Sequence, residues 1–397
     1  MKLEHVWMLT KDRRTVFGTL EFERGKITAI HEEVKPDMIS GRAVLPGFTN
    51  CHAHTPMTLV RGLGGGLSLQ DWLEKAIFPV EAKMTPEDIR AGQRWGVVEM
   101  LAGGTTEVVD MYDFPADMEA VLDETGFKGH VCRVGLSFVP GRLDECIAFT
   151  REHPRAHICI HSEYLTDEPF CRALAEVNNT SLHRPLHVHV SETEKEHRES
   201  IVRHGLTPMA YLARTGLLDQ GGFAAHCVYC TDEDFRIMAE KKMVLVHNPS
   251  SNMKLGSGFA RIERARELGV TVALGTDGCA SNDNLDMFEE MHLAALLHKG
   301  RAKDPTVLSA WDVLEMASYG KGLAVGMPAD LCVVSLDRPH LKPALDLANL
   351  VVYSMHASDV VETYVDGRLL YQEGRYPTID LKSAEDEFLR AVKGLGL

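Results

Sequence analysis

Between residues 43 and 277 the chain alternates short apolar runs with helix-like stretches, and this alternation restricts its fold more than any other feature. The runs are AVLPGF (43–48), TEVVDMY (106–112), HVCRVGLSF (130–138), HICIHS (157–162), PLHVHVS (185–191), GFAAHCV (222–228), MVLVHNP (243–249) and VTVALGTD (270–277). Between them lie segments such as TPEDIRAGQRWGVVEMLAGG and GFARIERARELG. The first opens on Thr85, Pro86, Glu87 and Asp88, a cap residue followed by proline and acids, which is how helices begin. Eight strands alternating with helices are what a (β/α)8 barrel requires. An open doubly wound sheet is the rival, but no glycine-rich phosphate fingerprint follows the first strand. RGLGGGLSL (61–69) has no strand directly before it and no P-loop lysine after it, and it reads as a mobile active-site loop.

The two ends have another texture. Residues 1–43 and 325–380 are rich in short strands with turn residues between them, and together they are expected to form one small β-sandwich domain. ERGK and VDGR are the expected hairpin turns. Residues 44–324 are then the catalytic barrel, and 381–397 a C-terminal helix.

With 397 residues, 45% hydrophobic and 25% charged, the chain can bury a sizeable core. Its 42 basic and 57 acidic residues give a net charge of −15, which argues against nucleic acid or an anionic membrane surface as a partner. Nine cysteines without a regular framework fit a reducing compartment. No signal-peptide pattern and no membrane-length apolar run are visible, so a soluble cytoplasmic enzyme is expected.

Function is written at the strand ends. His52 and His54 follow the first run, and Asp110 and Asp113 lie at the end of the second. His161, His187, His189, His226, His247 and Asp277 sit in or at the ends of later runs. One histidine at a strand end is more often a satisfied polar residue than a ligand. Recurrence at one topological level is different, because catalytic groups of such barrels gather at the C-terminal face. In an extended H-x-H both imidazoles face the same side, so His52 and His54 can bind one metal as neighbours. A further histidine and an aspartate supply donors suited to Zn2+ or a similar divalent ion.

PGFTNCHAH, HVSETEKE, AAHCVY, HNPSSNMKLGSG and GTDGCASNDNLDMFEEM, in this order, resemble the amidohydrolase superfamily. In particular they resemble its branch of 5′-methylthioadenosine/S-adenosylhomocysteine deaminases, and the likeness runs over nearly the whole chain. The resemblance implies metal ligands at His52, His54, His189 and Asp277. It makes Glu192 the proton-transfer residue and Asp277 also a proton acceptor, with His226 orienting the attacking water. LHVHVSE holds a second H-x-H, and only His189 stands three residues before a glutamate. His187 faces the same side and is the alternative ligand. Binuclear members carry a carboxylated lysine on a strand; no lysine falls in the expected strands, so one divalent ion is expected, zinc first, with Fe2+, Mn2+ and Ni2+ compatible.

For substrate, the resemblance places Trp72 and Glu81 in a nucleoside pocket, His161 near the sugar and Arg142 near the 5′ substituent. It implies hydrolytic deamination of a 5′-modified adenosine: methylthioadenosine, S-adenosylhomocysteine, 5′-deoxyadenosine or adenosine. Relatives that act on guanine, cytosine or s-triazine rings supply the enzymatic alternative, and a non-catalytic binding protein would have lost a ligand or the glutamate. Relatives often form homo-oligomers. HSE (161–163) with CVYC (227–230) imitates the other zinc deaminase signature, but Cys227 follows histidine instead of proline, and Cys227 and Cys230 read as core residues. The chain is shorter than typical members between Arg142 and His161, where the 5′ group would be read.

Overall fold

The computed structural model describes residues 1–67 and 69–397; Ser68, in the glycine-rich loop expected at 61–69, lies outside the described residues. Four strands open the chain: β1 (Lys2–Leu9), β2 (Thr15–Glu23), β3 (Lys26–Glu32) and β4 (Arg42–Pro46). β2 alternates half-buried and buried residues along its length, the pattern of a strand with one face on a core. Arg24 and Gly25, with φ of 50° and 78°, make the two-residue turn to β3 that suits the strands' twist.

Eight further strands alternate with helices: β5 (Phe48–His54), β6 (Thr105–Asp110), β7 (Lys128–His130), β8 (Ile158–Ser162), β9 (Leu186–Val190), β10 (Gly222–His226), β11 (Met243–His247) and β12 (Thr271–Leu274). They lie in two parallel sheets, β5-β6-β7 and β8 through β12. A parallel bridge from Gly135 to Ile160 links the sheets at one seam. At the other seam β13 (Asp277–Gly278), just beyond β12, pairs with Ala53 and His54 of β5. This is the α/β, TIM-like architecture expected from the alternation. Cys51, Val109, Phe223, Val244, Val246 and Ala273 cluster as a packed core between the strands.

Two strand boundaries differ from the sequence expectation. The run at 43–48 is not the first barrel strand: β4 belongs to the end-domain sheet, and the barrel strand β5 starts at Phe48. The break falls at Gly47, where a Cβ would stand 2.3 Å from the Thr106 side chain, so only glycine lets the backbone pass. The run at 130–138 starts on the last residue of β7 and then touches β8 through a bridge at Gly135, where a Cβ would meet the Cys159 carbonyl at 2.7 Å.

After the barrel come β14 (Leu331–Ser335), β15 (Val360–Val365) and β16 (Arg368–Gln372). They join the first strands in one seven-stranded sheet, ordered β16-β15-β14-β4-β1-β2-β3. Asp366 and Gly367, with φ of 48° and 70°, form its second two-residue turn. Phe22 on β2 and Tyr364 on β15 lie four strands apart in the sheet, yet their rings pack edge-on at 5.4 Å. At about 4.8 Å per strand a flat sheet could not bring them together, so the sheet curls over its own core of Met8, Leu20, Val44 and Leu331.

The helix Pro86–Ala102 begins as its sequence requires. Thr85 accepts from the Asp88 N–H, and Asp88 accepts in return from the Thr85 N–H. The terminal helix Leu381–Leu395 lies against it, with Trp95 stacked on Phe388 and Arg94 paired to Glu387. No helix among the described residues is long and apolar enough to cross a membrane.

Candidate metal centre and active site

The ends of β5, β9 and β10 and the start of β13 bring His52, His54, His189, His226 and Asp277 together, all buried. A register shift between Asn50 and Ala53 against β6 kinks β5 just where its two histidines project. Ser191, His226 and Asp277 all take positive φ, at 49°, 69° and 61°, a conformation that side chains resist and that folds retain mainly at sites.

Each histidine is held through one ring nitrogen so that the other faces inward. His54 Nδ1 bonds the Met111 carbonyl at 2.5 Å, and His189 Nδ1 bonds the His161 carbonyl at 2.7 Å. A carbonyl can only accept, so both Nδ1 atoms carry the hydrogen, and each Nε2 is the nitrogen that a metal would take once free of any proton. His52 Nδ1 meets His187 Nε2 at 2.8 Å. His187 therefore stands one layer below, behind His52, while His189 Nε2 lies 3.2 Å from His54 Nε2. His52 Nε2 is buried without a hydrogen-bond partner.

Asp277 Oδ1 lies 3.3 Å from His52 Nε2 and 3.1 Å from His54 Nε2. Its Oδ2 accepts from Ser251 Oγ at 2.6 Å and Ser281 Oγ at 2.8 Å. His52, His189, His226 and Asp277 each offer an atom within 4.8 Å of the others. That tight group counts His226 where the resemblance counts His54, but the short His54 distances put both imidazoles in one cluster. Nitrogen and oxygen donors converging with an orphaned Nε2 fit a divalent ion such as zinc.

Electrostatics agree. Burial pushes His52 down to about 4 and His187 and His189 well below the usual imidazole value, so they are neutral, as ligands must be. Burial would raise Asp277, but the His52 and His54 imidazoles beside it hold it well below the carboxylate range. Burial would also lower His54; Asp277 outweighs it and lifts this imidazole to about 9. The cluster thus favours one positive charge at its centre, which a proton or a metal cation can supply.

The cluster floors a cavity of about 400 Å3. Glu192 lines it, with Oε2 4.0 Å from His226 Nε2, and burial raises its carboxyl above the usual value. Its backbone is pinned from behind, because the Glu196 carboxylate accepts from the Ser191 and Glu192 N–H groups at 2.7 and 2.8 Å. His226 Nδ1 donates to Asn252 Oδ1 at 2.9 Å, leaving Nε2 toward the cavity.

Of the residues expected at the substrate, Trp72, Glu81 and His161 line the cavity. The Trp72 indole N–H donates to the Leu63 carbonyl. Glu81 accepts from the Tyr112 hydroxyl at 2.5 Å, and burial raises its carboxyl. Burial lowers His161 to about 3. Arg142 is not among the lining residues: its guanidinium turns back to Asp113 Oδ1 at 3.1 Å and the Val134 carbonyl at 2.8 Å. Cys227 and Cys230 are buried free thiols outside the metal-binding group. Lys128, contrary to expectation, does lie on a barrel strand, but at the end of β7 remote from the cluster, where it pairs with Asp330 and Asp366.

Several supports escape a reading of the sequence: Tyr112 on Glu81, Ser251 and Ser281 on Asp277, Asn252 on His226. Asp110, one of the strand-end acids, accepts from the Thr55 N–H at 3.0 Å and Gln93 Nε2 at 3.1 Å, fixing the turn after His54. The clue to Ser251 and Asn252 is their place in NPSSN, directly after the strand-end His247.

Residues 43–370 match the amidohydrolase family. The chain is 38% identical to a 5-methylthioadenosine/S-adenosylhomocysteine deaminase of Acetivibrio thermocellus, over 91% of this chain and 89% of that one. It is also 38% identical to a 5′-deoxyadenosine deaminase of Methanosarcina mazei, over 95% of this chain and 93% of that one. The crystal structure of a zinc-bound adenosine deaminase from Xanthomonas campestris superposes with a TM-score of 0.91 at 29% identity, covering 100% of this chain and 98% of that one. With the family matched across most of its length and the strand-end cluster intact, this chain belongs to the amidohydrolase family.

Proposed function

We propose that the protein is a metal-dependent hydrolytic deaminase that converts the adenine of 5′-modified adenosines to hypoxanthine with release of ammonia. One observation carries the reading. A buried carboxyl with a raised proton affinity, Glu192, shares a nucleoside-sized cavity with the histidine and aspartate cluster, and a second carboxyl, Glu81, lines the same cavity. His52, His54, His189 and Asp277 would hold the ion, which when bound supplies activated water at neutral pH.

The chain's own residues divide the remaining work. Asp277, kept anionic by its neighbours and oriented by two serine hydroxyls, takes a proton from the attacking water. His226, its tautomer fixed by Asn252, aligns that water against the ring carbon bearing the amino group. Glu192 holds a proton at the ring nitrogen beside that carbon and later delivers one to the departing amine. Glu81, braced by Tyr112, accepts the ribose hydroxyls.

The test is ammonia release from purine nucleosides, free bases and triazines by the metal-loaded protein. Deamination of adenosine derivatives is the expected result. Activity confined to free bases would remove Glu81 from its role, and activity on triazines alone would overturn the reading.

A further inference from the structure

The outer part of the cavity differs in character from its floor. Phe78, Phe114 and Phe138 all line it, yet they are 42%, 37% and 67% exposed. They come from separate segments: the helix Phe78–Glu81, the residue before the helix Pro115–Thr125, and the loop ahead of Gly141. Phe114 sits at φ 56°, a backbone conformation that a bulky side chain resists. Large aromatics left in water around one opening mark a surface that a ligand covers.

The charge at this opening is also distinctive. Among the described residues no lysine or arginine lines the cavity, whereas Asp113 does. The nearby guanidiniums are engaged. Arg133 binds Asp113 at 2.8 Å and Glu145 at 2.7 Å, and Arg142 binds Asp113 and the Val134 carbonyl. A ligand carboxylate entering here would lose its hydration and meet no cation that is not already paired.

We propose that Phe78, Phe114 and Phe138 form a specificity rim that selects nucleosides with an uncharged, apolar 5′ substituent, such as an alkylthio group, over those ending in a charged amino acid. The inference rests on the deaminase reading above. With the amino-bearing edge of the purine at the cluster and the ribose on Glu81, the 5′ group is what reaches the rim. There a thioether and its methyl group are buried against aromatic faces at no electrostatic cost.

The experiment measures kcat/KM of the metal-loaded full chain for 5′-methylthioadenosine, adenosine and S-adenosylhomocysteine. The methylthio substrate is expected to exceed S-adenosylhomocysteine by about tenfold or more, the scale on which apolar pockets discriminate. Phe138→Ala should lower the ratio of methylthioadenosine to adenosine kcat/KM by about threefold or more, mainly through KM, and Phe138→Leu should restore most of it. Equal use of S-adenosylhomocysteine, or an unchanged ratio in Phe138→Ala, overturns the rim while leaving the deaminase reading intact. Turnover of no nucleoside overturns both.

Discussion

Glu192 is held in a pocket that disfavours its charge, and its nearest titratable neighbour across the cavity is His226. A carboxyl so placed holds its proton more firmly than an exposed one and can still exchange it, while a carboxamide of the same shape cannot. Glu192→Gln should therefore bind metal with unchanged stoichiometry and lose about 10²- to 10⁴-fold in kcat, measured by elemental analysis beside ammonia release. His187 makes a different case. It touches no cavity atom that reacts, but it holds His52 through Nδ1. Its replacement by alanine should weaken metal binding by about 10- to 100-fold in a chelator competition, and unchanged affinity would show that His52 needs no such support. Spacing alone makes the H-x-H pairs and the glutamate after His189 legible in the sequence. The facing of the strand does not separate His187 from His189, because both point to the same side of β9. The glutamate three residues on favours His189, and the neighbouring β5 places His187 behind His52 and His189 beside His54. Tyr112 and Ser281 leave no such trace, since hydroxyl residues are common and only the fold brings them to their carboxylates.

The helices around the barrel carry their own start signals, and these are the most readable elements. Thr85-Pro86 announces the helix Pro86–Ala102 where it stands, because capping is chemistry local to a few residues. Strand limits are set by partners far away in sequence, which is why neither the Gly47 break nor the shortness of β7 shows in the apolar runs. A second capping box opens the helix Asp232–Glu240, and it reaches further than its own turn. Asp234, buried, accepts from the Thr231 N–H at 2.7 Å and hydroxyl at 2.8 Å, and also from the Thr207 hydroxyl that caps the preceding helix Pro208–Thr215. One carboxylate thus ties two helix starts. Asp234→Ala should destabilise the protein by about 2 to 3 kcal/mol, more than the ~1 kcal/mol of an ordinary cap, because it leaves buried donors unpaired. Urea unfolding of Asp234→Ala beside Thr85→Ala makes the comparison, and equal losses would mean that the Thr207 link adds nothing.

At the scale of the whole molecule, the end-domain sheet and the barrel are joined by charge as well as by packing. Glu107 on β6 pairs with His130 on β7 at 3.1 Å and with Lys321, and Lys321 and Lys128 both reach Asp330, just ahead of β14. This joint is invisible in the sequence, where Glu107 and Lys321 lie 214 residues apart. Burial alone would raise the Glu107 carboxyl, but His130 and Lys321 outweigh it and hold the group at about 2. A carboxyl depressed in the folded state adds stability in full above its unfolded value of about 4.3 and loses it as pH falls toward 2; a depression of this size is worth on the order of 3 kcal/mol. His130 runs the other way: burial lowers it, yet Glu107 raises it overall, so its share is complete below about 6.5 and fades as pH rises through the raised value. The joint should therefore be strongest between about pH 4.5 and 6.5. Glu107→Gln tests this, since the difference in unfolding free energy from the native chain at each pH cancels protonation of the metal cluster, which is common to both. That difference should be largest near pH 5.5, narrow as pH drops toward 3 and narrow again above neutrality. A difference that stays flat across the range would mean that shape and hydrogen bonding, not the Glu107 charge, hold the two parts together.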